Sequence, residues 1–225
     1  MPKINAFLFD LDGVIVDTAV YHYQAWRRMA NELGFDISEH FNETLKGVSR
    51  VDSLNLILAQ GGLSLPDDRK AELAAQKNEW YLELVNQMTP DAILPGIPAF
   101  FAQVRETTLK VALGSVSKNS RLILERIGLV NAFDAIIDGT KITHSKPDPE
   151  VFLKGAAELS VLPAECVVFE DAVAGIEAGK RGGMRTVGIG SPDVLTQADI
   201  VLPSLEHITI AELFASLDRA AGVGY

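Results

Sequence analysis

One stretch near the N-terminus constrains the fold more than any other, an apolar run that ends in two carboxylates. Residues 4–9 read Ile-Asn-Ala-Phe-Leu-Phe, and Asp10, Asp12 and Gly13 follow. A run of about four to eight mostly apolar residues predicts a strand that is buried on both faces, as in a parallel sheet. Open α/β sheets hold their ligands at the carboxyl ends of the strands, which is where both carboxylates would lie.

The spacing of Asp10 and Asp12 has an electrostatic consequence. Two carboxylates this close repel each other unless a cation or a proton compensates their charge. The pair therefore indicates a hard metal ion, most simply Mg²⁺, held by oxygen ligands. From the spacing alone, a strand followed by an ordinary Asp-Gly turn is an equally good interpretation.

Composition excludes several classes of protein. Asp and Glu outnumber Lys and Arg by 30 to 20, for a formal net charge of −10, so nucleic acid is a poor partner. A phosphorylated ligand would need a local cluster of Lys, Arg and metal. The single cysteine, Cys166, excludes an internal disulfide framework, and its apolar surroundings indicate an inert core thiol.

The same features predict where the protein works. No segment reaches the roughly 20 apolar residues that a membrane-spanning helix needs. Asp10 and Asp12 interrupt the N-terminal apolar stretch, so we expect no signal peptide. We expect a cytoplasmic protein with no membrane partner, and a monomer is the default oligomeric state.

Beyond Thr18 the chain divides into a helical block and a block in which helices and strands alternate. Apolar periodicity predicts helices at 19–33, 51–58 and 67–88, and no strand pattern interrupts them. The alternating block predicts helices at 97–106, 120–127, 149–159, 172–182 and 210–220, and strands at 109–115, 135–137, 167–169, 186–189 and 200–202.

Strands separated by helices of this length predict parallel pairing with right-handed crossovers. The predicted fold class is therefore α/β, with a doubly wound parallel-sheet core and a small inserted all-helical cap. We assign residues 1–16 and 93–225 to the core and residues 17–92 to the cap.

Polar groups follow the later strands too. Ser115 precedes a helix, where a hydroxyl and free N–H groups suit a phosphate oxygen, although helix capping by Ser117 is an alternative. Lys146 also precedes a helix, and a fixed cation there could neutralise charge on a phosphoryl group. Asp148 as N-cap and Pro149 at the first helical position have a structural explanation.

Glu170 and Asp171 follow the strand at 167–169 and could simply favour the helix dipole. Four strings taken in order are more specific. D-x-D-G-V-x-x-D-T from Asp10, the Ser115 position, K-P-x-P from Lys146 and E-D-x-x-x-G-I-x-A from Glu170 resemble the four signatures of the haloacid dehalogenase superfamily.

That resemblance implies phosphoryl transfer. Asp10 would attack phosphorus and Asp12 would shuttle the proton, and because dehalogenases of the superfamily lack the second Asp, dehalogenation is not expected. By the same resemblance, the side chains of Asp10, Glu170 and Asp171 and the backbone carbonyl of Asp12 would bind one Mg²⁺. Lys146 and Ser115 would offset the phosphoryl charge.

The cap resembles that of one family within the superfamily, the β-phosphoglucomutases. The matching strings are Leu45–Ser53, Asp17-Thr18-Ala19, Tyr21-His22, Ala25-Trp26, Lys77-Asn78 with Tyr81, and the core string Ser115-Val116-Ser117-Lys118-Asn119. Two departures are Val116, where that family has Ala, and a longer tract before Pro66.

This second resemblance implies interconversion of β-D-glucose 1-phosphate and glucose 6-phosphate through an aspartyl phosphate and β-glucose 1,6-bisphosphate. Arg50 would hold the phosphate that is not transferred. Thr18 would act in hinge movement, and His22 and Lys77 would couple cap closure to the placement of Asp12. The other residues expected at the substrate are Trp26, Gly47, Val48, Ser49, Ser53, Val116, Ser117 and Asn119.

Alternatives stay open at this level. Trp26 could be cap core, His22 could be structural, and Lys77 could be a solvated helix charge. A sugar-phosphate phosphatase would share the core and use water as acceptor. A silent binding protein on this fold is disfavoured by the intact acids, since a binder needs no proton shuttle.

Overall fold

The strand that ends at Asp10 lies at the centre of a six-stranded parallel sheet in a computed structural model that describes residues 3–222. The strands are β1 (Ala6–Phe9), β2 (Lys110–Gly114), β3 (Ala135–Ile137), β4 (Cys166–Glu170), β5 (Arg185–Ile189) and β6 (Ile200–Leu202). Their spatial order is β3-β2-β1-β4-β5-β6. The strand order reverses direction beside β1, and ligands of doubly wound sheets bind at that reversal.

Helices cover the sheet and build the insert. They are α1 (Ala19–Glu32), α2 (Glu39–Glu43), α3 (Arg50–Gln60), α4 (Asp67–Val85), α5 (Ile97–Arg105), α6 (Ser120–Arg126), α7 (Glu150–Glu158), α8 (Val173–Arg181) and α9 (Ile210–Ala220). Helices α1 to α4 form the helical cap between β1 and β2, so the predicted fold class is confirmed, whereas the domain limits stay a prediction. None of these helices is long and apolar enough to cross a membrane.

Both faces of β1 are buried, which is why its sequence is a continuous apolar run. Phe7 and Phe9 lie on one face, where Phe9 stacks on Phe169 of β4 with ring centroids 4.5 Å apart. Phe100 of α5 packs against this cluster, and its ring centroid lies 5.9 Å from that of Phe7. Leu8 lies on the opposite face in a second apolar cluster.

The strand register positions the acids. Phe9 pairs with Phe169, and the Asp10 amide donates to the Phe169 carbonyl at 2.9 Å, so Asp10 stands level with Glu170. On its other side β1 pairs with β2, which ends directly before Ser115. Residues from three separate stretches of sequence therefore meet at one edge of the sheet.

Two parts of the cap differ from the predicted pattern. Helix α2 was missed because its five residues are too few for a periodicity, although Ser38 accepts a bond from the Phe41 amide at 3.1 Å as an N-cap. Helix α4 ends at Val85, short of the predicted 88. Thr89 precedes Pro90 and is extended, as residues before proline prefer, so the helix cannot continue to it.

The start of α7 also needs correction. Pro149, which was expected at the first helical position, is the N-cap, and the helix begins at Glu150. The Asp148 carboxylate still serves the helix start, because it accepts a hydrogen bond from the Glu150 amide at 2.9 Å.

Candidate active site

A cleft of about 950 Å³ separates the cap from the carboxyl ends of the strands, within the size range of small-molecule sites. Seventeen of the residues expected from the sequence line it: Asp10, Asp12, Thr18, His22, Trp26, Gly47, Val48, Ser49, Arg50, Ser53, Lys77, Ser115, Val116, Ser117, Asn119, Lys146 and Asp171. Glu170 is buried and lies behind this lining.

Three carboxylates meet on the core side of the cleft. Asp10, Glu170 and Asp171 each place one oxygen within 4.8 Å of the others. Two glycines leave room for the Asp171 and Glu170 carboxylates. A Cβ on Gly13 would lie 2.1 Å from an Asp171 oxygen, and a Cβ on Gly175 would lie 1.9 Å from a Glu170 oxygen. Clustered hard oxygen donors of this kind can hold a divalent cation.

Lys146 joins the acids of two strands. Its ammonium lies 2.5 Å from Asp10 Oδ1 and 2.5 Å from Glu170 Oε1, and it is buried. Burial lowers the pKa of Lys146, but the charges of Asp10 and Glu170 raise it by more, so the amine stays protonated. Glu170 also accepts a bond from the Ala172 amide at 3.0 Å.

The remaining negative charge on this side is only partly compensated. Burial, followed by the charge of Asp10, raises the pKa of Asp12 to about 7, although the Thr18 hydroxyl donates to the Asp12 carboxylate and opposes the rise. Burial is also the largest cause that raises the pKa of Glu170 to about 8 and that of Asp171 to about 6. The core side of the cleft therefore favours a bound cation or proton.

The cap side has the opposite character. Lys77 Nζ lies 2.9 Å from His22 Nδ1, 4.3 Å from the centre of the Trp26 ring and 4.8 Å from that of Tyr81. Burial, and then the charge of Arg50, lowers the pKa of Lys77. Lys77 is only 2% exposed, so the interpretation as a solvated helix charge is wrong, whereas Trp26 does lie in the cap core.

Arg50 lies at the start of α3 and lines the cleft. The Ser49 hydroxyl orders this turn by accepting a bond from the Asp52 amide at 3.2 Å. Within residues 3–222, no hydrogen bond or ion pair engages the Arg50 guanidinium. The cap therefore presents an arginine that is free to take an anion from the cleft.

Lys46 is a site residue that the sequence reasoning missed. Its ammonium lies 3.2 Å from Asp171 Oδ2 and 2.9 Å from Glu43 Oε2, so the cap loop contacts the acid cluster of the core directly. Lys46 stands next to Gly47 in the matched cap string, which is the one signal that could have drawn attention to it.

Comparisons with known proteins agree with this geometry. A family model for haloacid dehalogenase-like hydrolases matches residues 4–183. The chain is 41% identical over 209 residues to the β-phosphoglucomutase of Bacillus subtilis (strain 168), covering 92% of each chain. It is 32% identical over 220 residues to hexitol phosphatase B of Escherichia coli (strain K12), covering 94% of this chain and 97% of the relative. Among solved structures, a β-phosphoglucomutase from Clostridium difficile matches with a TM-score of 0.94 and 40% identity, covering 98% of this chain and 100% of that chain.

Tyr81 is a second residue without an assigned role. Its ring is buried and stacks on His22 with centroids 4.2 Å apart. Burial, followed by the charge of Asp12, raises the pKa of the phenol well above its ordinary value. The hydroxyl lies near Thr18, yet no partner among residues 3–222 meets hydrogen-bond geometry.

We expect Tyr81→Phe to leave the free energy of unfolding unchanged or to raise it by up to about 1 kcal/mol, because a buried unpaired polar group is itself destabilising. Urea denaturation of the metal-free protein measures this. Tyr23→Phe is the matched control, since the Tyr23 hydroxyl donates to the Ile37 carbonyl at 3.3 Å, and it should lose about 0.5–1.5 kcal/mol. A larger loss for Tyr81→Phe than for the control would show that the hydroxyl is paired.

Proposed function

The chain belongs to the haloacid dehalogenase-like hydrolases, and we propose that within this family it is a Mg²⁺-dependent β-phosphoglucomutase, which interconverts β-D-glucose 1-phosphate and glucose 6-phosphate. The family-model match confirms the resemblance of the sequence motifs to the superfamily. The relatives of the chain support a role in phosphoryl transfer. One observation carries the proposal: Arg50, which has no hydrogen-bond or ion-pair partner in the described part of the chain, lines the same cleft as Asp10 and Asp12. A phosphatase needs one phosphate site, whereas a mutase that passes through a bisphosphate needs two.

In the proposed reaction, an oxygen of Asp10 attacks a phosphorus of β-glucose 1,6-bisphosphate, and the bond from that phosphorus to the sugar oxygen breaks. Asp12 gives its proton to the departing oxygen. When the 1-phosphoryl group has been transferred, glucose 6-phosphate leaves and β-glucose 1-phosphate enters with its 6-hydroxyl toward the aspartyl phosphate. Asp12 takes the proton of that hydroxyl, whose oxygen attacks the phosphorus as the bond to Asp10 breaks. The bisphosphate formed in this way turns round, so that its 1-phosphate faces Asp10 for the next transfer. A pKa near 7 suits Asp12 to both proton transfers at neutral pH.

Charge on the transferring group would be offset from several directions. Lys146 is held beside Asp10, and Ser115 follows the neighbouring strand, so both can contact the phosphoryl oxygens. The Asp10, Glu170 and Asp171 carboxylates, with the Asp12 carbonyl, would hold Mg²⁺. When bound, Mg²⁺ would supply further compensation of the phosphoryl charge.

The cap would place the substrate and the proton shuttle together. Thr18 directly precedes α1 and donates to Asp12, so a movement of the cap can reach the acid. The pair formed by His22 and Lys77 lies on the same side of the cleft as Arg50. We propose that the remaining expected residues face the sugar and its second phosphate: Trp26, Gly47, Val48, Ser49, Ser53, Val116, Ser117 and Asn119.

A sugar-phosphate phosphatase is the second candidate. The similarity to hexitol phosphatase B supports it, because the same core would transfer the phosphoryl group to water. We favour the mutase because the identity to a β-phosphoglucomutase is higher, 41% against 32%, and because Arg50 has no partner among the residues that the structure describes. A cytoplasmic location and a monomeric state stay predictions.

The decisive assay incubates the protein with Mg²⁺, β-glucose 1-phosphate and a trace of β-glucose 1,6-bisphosphate. We expect glucose 6-phosphate with little free phosphate, and Asp10→Asn should abolish turnover because an amide is a poor nucleophile. Both products are measured in the same reaction. Release of phosphate without glucose 6-phosphate would identify a phosphatase instead.

Arg50→Ala should weaken the mutase selectively. Loss of a charged hydrogen-bond donor costs about 1.5–3 kcal/mol, which corresponds to about a 10- to 150-fold fall in kcat/KM for β-glucose 1-phosphate. Hydrolysis of acetyl phosphate, which has no second phosphate, should change little. The control is Arg69→Ala, an exposed cap arginine paired with Glu72, which should alter neither activity. Equal losses in both reactions would contradict the role of Arg50.

Mg²⁺ should stabilise the fold more at pH 8 than at pH 5. In the folded protein the pKa is raised to about 7 for Asp12, about 8 for Glu170 and about 6 for Asp171, against about 4 when unfolded. Because the folded state then binds protons more tightly, stability without metal falls as pH rises from about 4 to about 8. Mg²⁺ competes with these protons, so its effect grows over that window.

The rise in Tm on adding Mg²⁺, measured at both pH values, checks this expectation. Asp171→Asn should show a smaller rise at pH 8 than the unmodified protein, since one carboxylate is gone. The same rise at both pH values would show that these acids do not bind the metal.

A further inference from the structure

Helix α4 carries two adjacent side chains that bond to opposite sides of the cleft. Lys77 bonds to His22 of α1, within the cap. Its neighbour Asn78 bonds instead to the core, where Asn119 Nδ2 donates to Asn78 Oδ1 at 2.9 Å. This second bond is partly buried, and both amides line the cleft.

Asn119, the partner in the core, belongs to a loop that is stabilised by hydrogen bonds between its own residues. The backbone N–H of Asn119 donates to Ser117 Oγ at 3.2 Å, and the backbone N–H of Ser117 donates to Ser115 Oγ at 3.1 Å. The loop's first residue is tied to β3, since the Ser115 amide donates to the Ile137 carbonyl at 3.0 Å. A continuous series of hydrogen bonds therefore runs from the sheet to Asn119, and Asn78 extends it into the cap.

We propose that Asn78 is a positioning residue, whose bond to Asn119 fixes the 115–119 loop against the cap while the phosphoryl group is transferred. The inference rests on the proposed mutase function. When the bond is present, it fixes the position of the loop hydroxyls relative to the side chains of the cap. With the bond broken, the two sides of the cleft can separate at this point and admit water to the aspartyl phosphate.

The bond is suited to this role because it contains no charge. A different contact between cap and core, that of Lys46 with Asp171, uses a carboxylate of the proposed metal site, so a change there would disturb the chemistry itself. Asn78 lies outside the acid cluster, and loss of its side chain leaves every carboxylate and Lys146 in place. Its effect should therefore appear in substrate placement and in the choice of acceptor.

The structure supplies a matched control. Arg126 Nη2 of α6 donates to Asn86 Oδ1, just beyond α4, at 2.6 Å. This bond also joins the cap to the core, but it is exposed, and neither residue lines the cleft. Asn86→Ala therefore removes a bond between cap and core without touching the loop that carries Ser115.

The experiment compares the unmodified protein with Asn78→Ala, Asn78→Asp and Asn86→Ala, using Mg²⁺, β-glucose 1-phosphate and the bisphosphate primer. For Asn78→Ala we expect KM to rise and the ratio of free phosphate to glucose 6-phosphate to rise by about 2- to 10-fold, the effect of losing one neutral hydrogen bond. Hydrolysis of acetyl phosphate should be unchanged. Asn78→Asp keeps the acceptor oxygen and should restore most of the product ratio, and Asn86→Ala should match the unmodified protein.

The outcomes separate this inference from the function on which it rests. Phosphate without glucose 6-phosphate from the unmodified protein would overturn the mutase and this inference with it. An active mutase whose product ratio is unaltered by Asn78→Ala, or altered equally by Asn86→Ala, would overturn the role of Asn78 alone. If Asn78→Ala does not fold, Asn78→Ser, which is too short to reach Asn119, takes its place with the same expected shift.

Discussion

The buried contact of Lys146 with Asp10 and Glu170 is the interaction on which the rest of the site depends. Breaking a buried ion pair by removing one partner typically costs about 3–5 kcal/mol, because a charge is then left uncompensated. Here one ammonium holds the acid that follows β1 beside the acid that ends β4. Burial and the charge of Asp10 nevertheless raise the pKa values of Asp12 and Asp171 despite the nearby ammonium, and a cation bound among these acids would relieve the remaining repulsion.

Charge is divided between the two sides of the cleft. The core side carries the acids, and the cap side carries two basic side chains, Lys77 and Arg50, of which Arg50 has no hydrogen-bond or ion-pair partner among residues 3–222. A protein with a net charge of −10 repels anions at long range, so an anionic substrate must be held by such local features. The proposed bisphosphate substrate would place one phosphate at Asp10, where Lys146 and a bound cation would offset its charge, and the other at Arg50.

Much of the fold and of the acid cluster could be predicted because the signals are local. The apolar run before Asp10 indicates a buried strand, and K-P-x-P at Lys146 indicates a function through its resemblance to a signature of the superfamily. Helix α2 could not be predicted because five residues are too few to show a helical periodicity. The contact of Lys46 with Asp171 could not be predicted because nothing near Lys46 in sequence indicates it. The Asn78–Asn119 bond joins residues 41 positions apart and has no signal in either string.

By itself, then, the sequence determined the α/β class, the helical insert and the superfamily, because periodicity and short motifs depend only on neighbouring residues. Only the tertiary structure decided that Lys77 is buried, that Arg50 lacks a partner within residues 3–222 and that Asp12 has a pKa near 7. Each of these depends on the distance between groups far apart in the chain and on how much water their packing excludes. No pattern along a single chain records those two quantities.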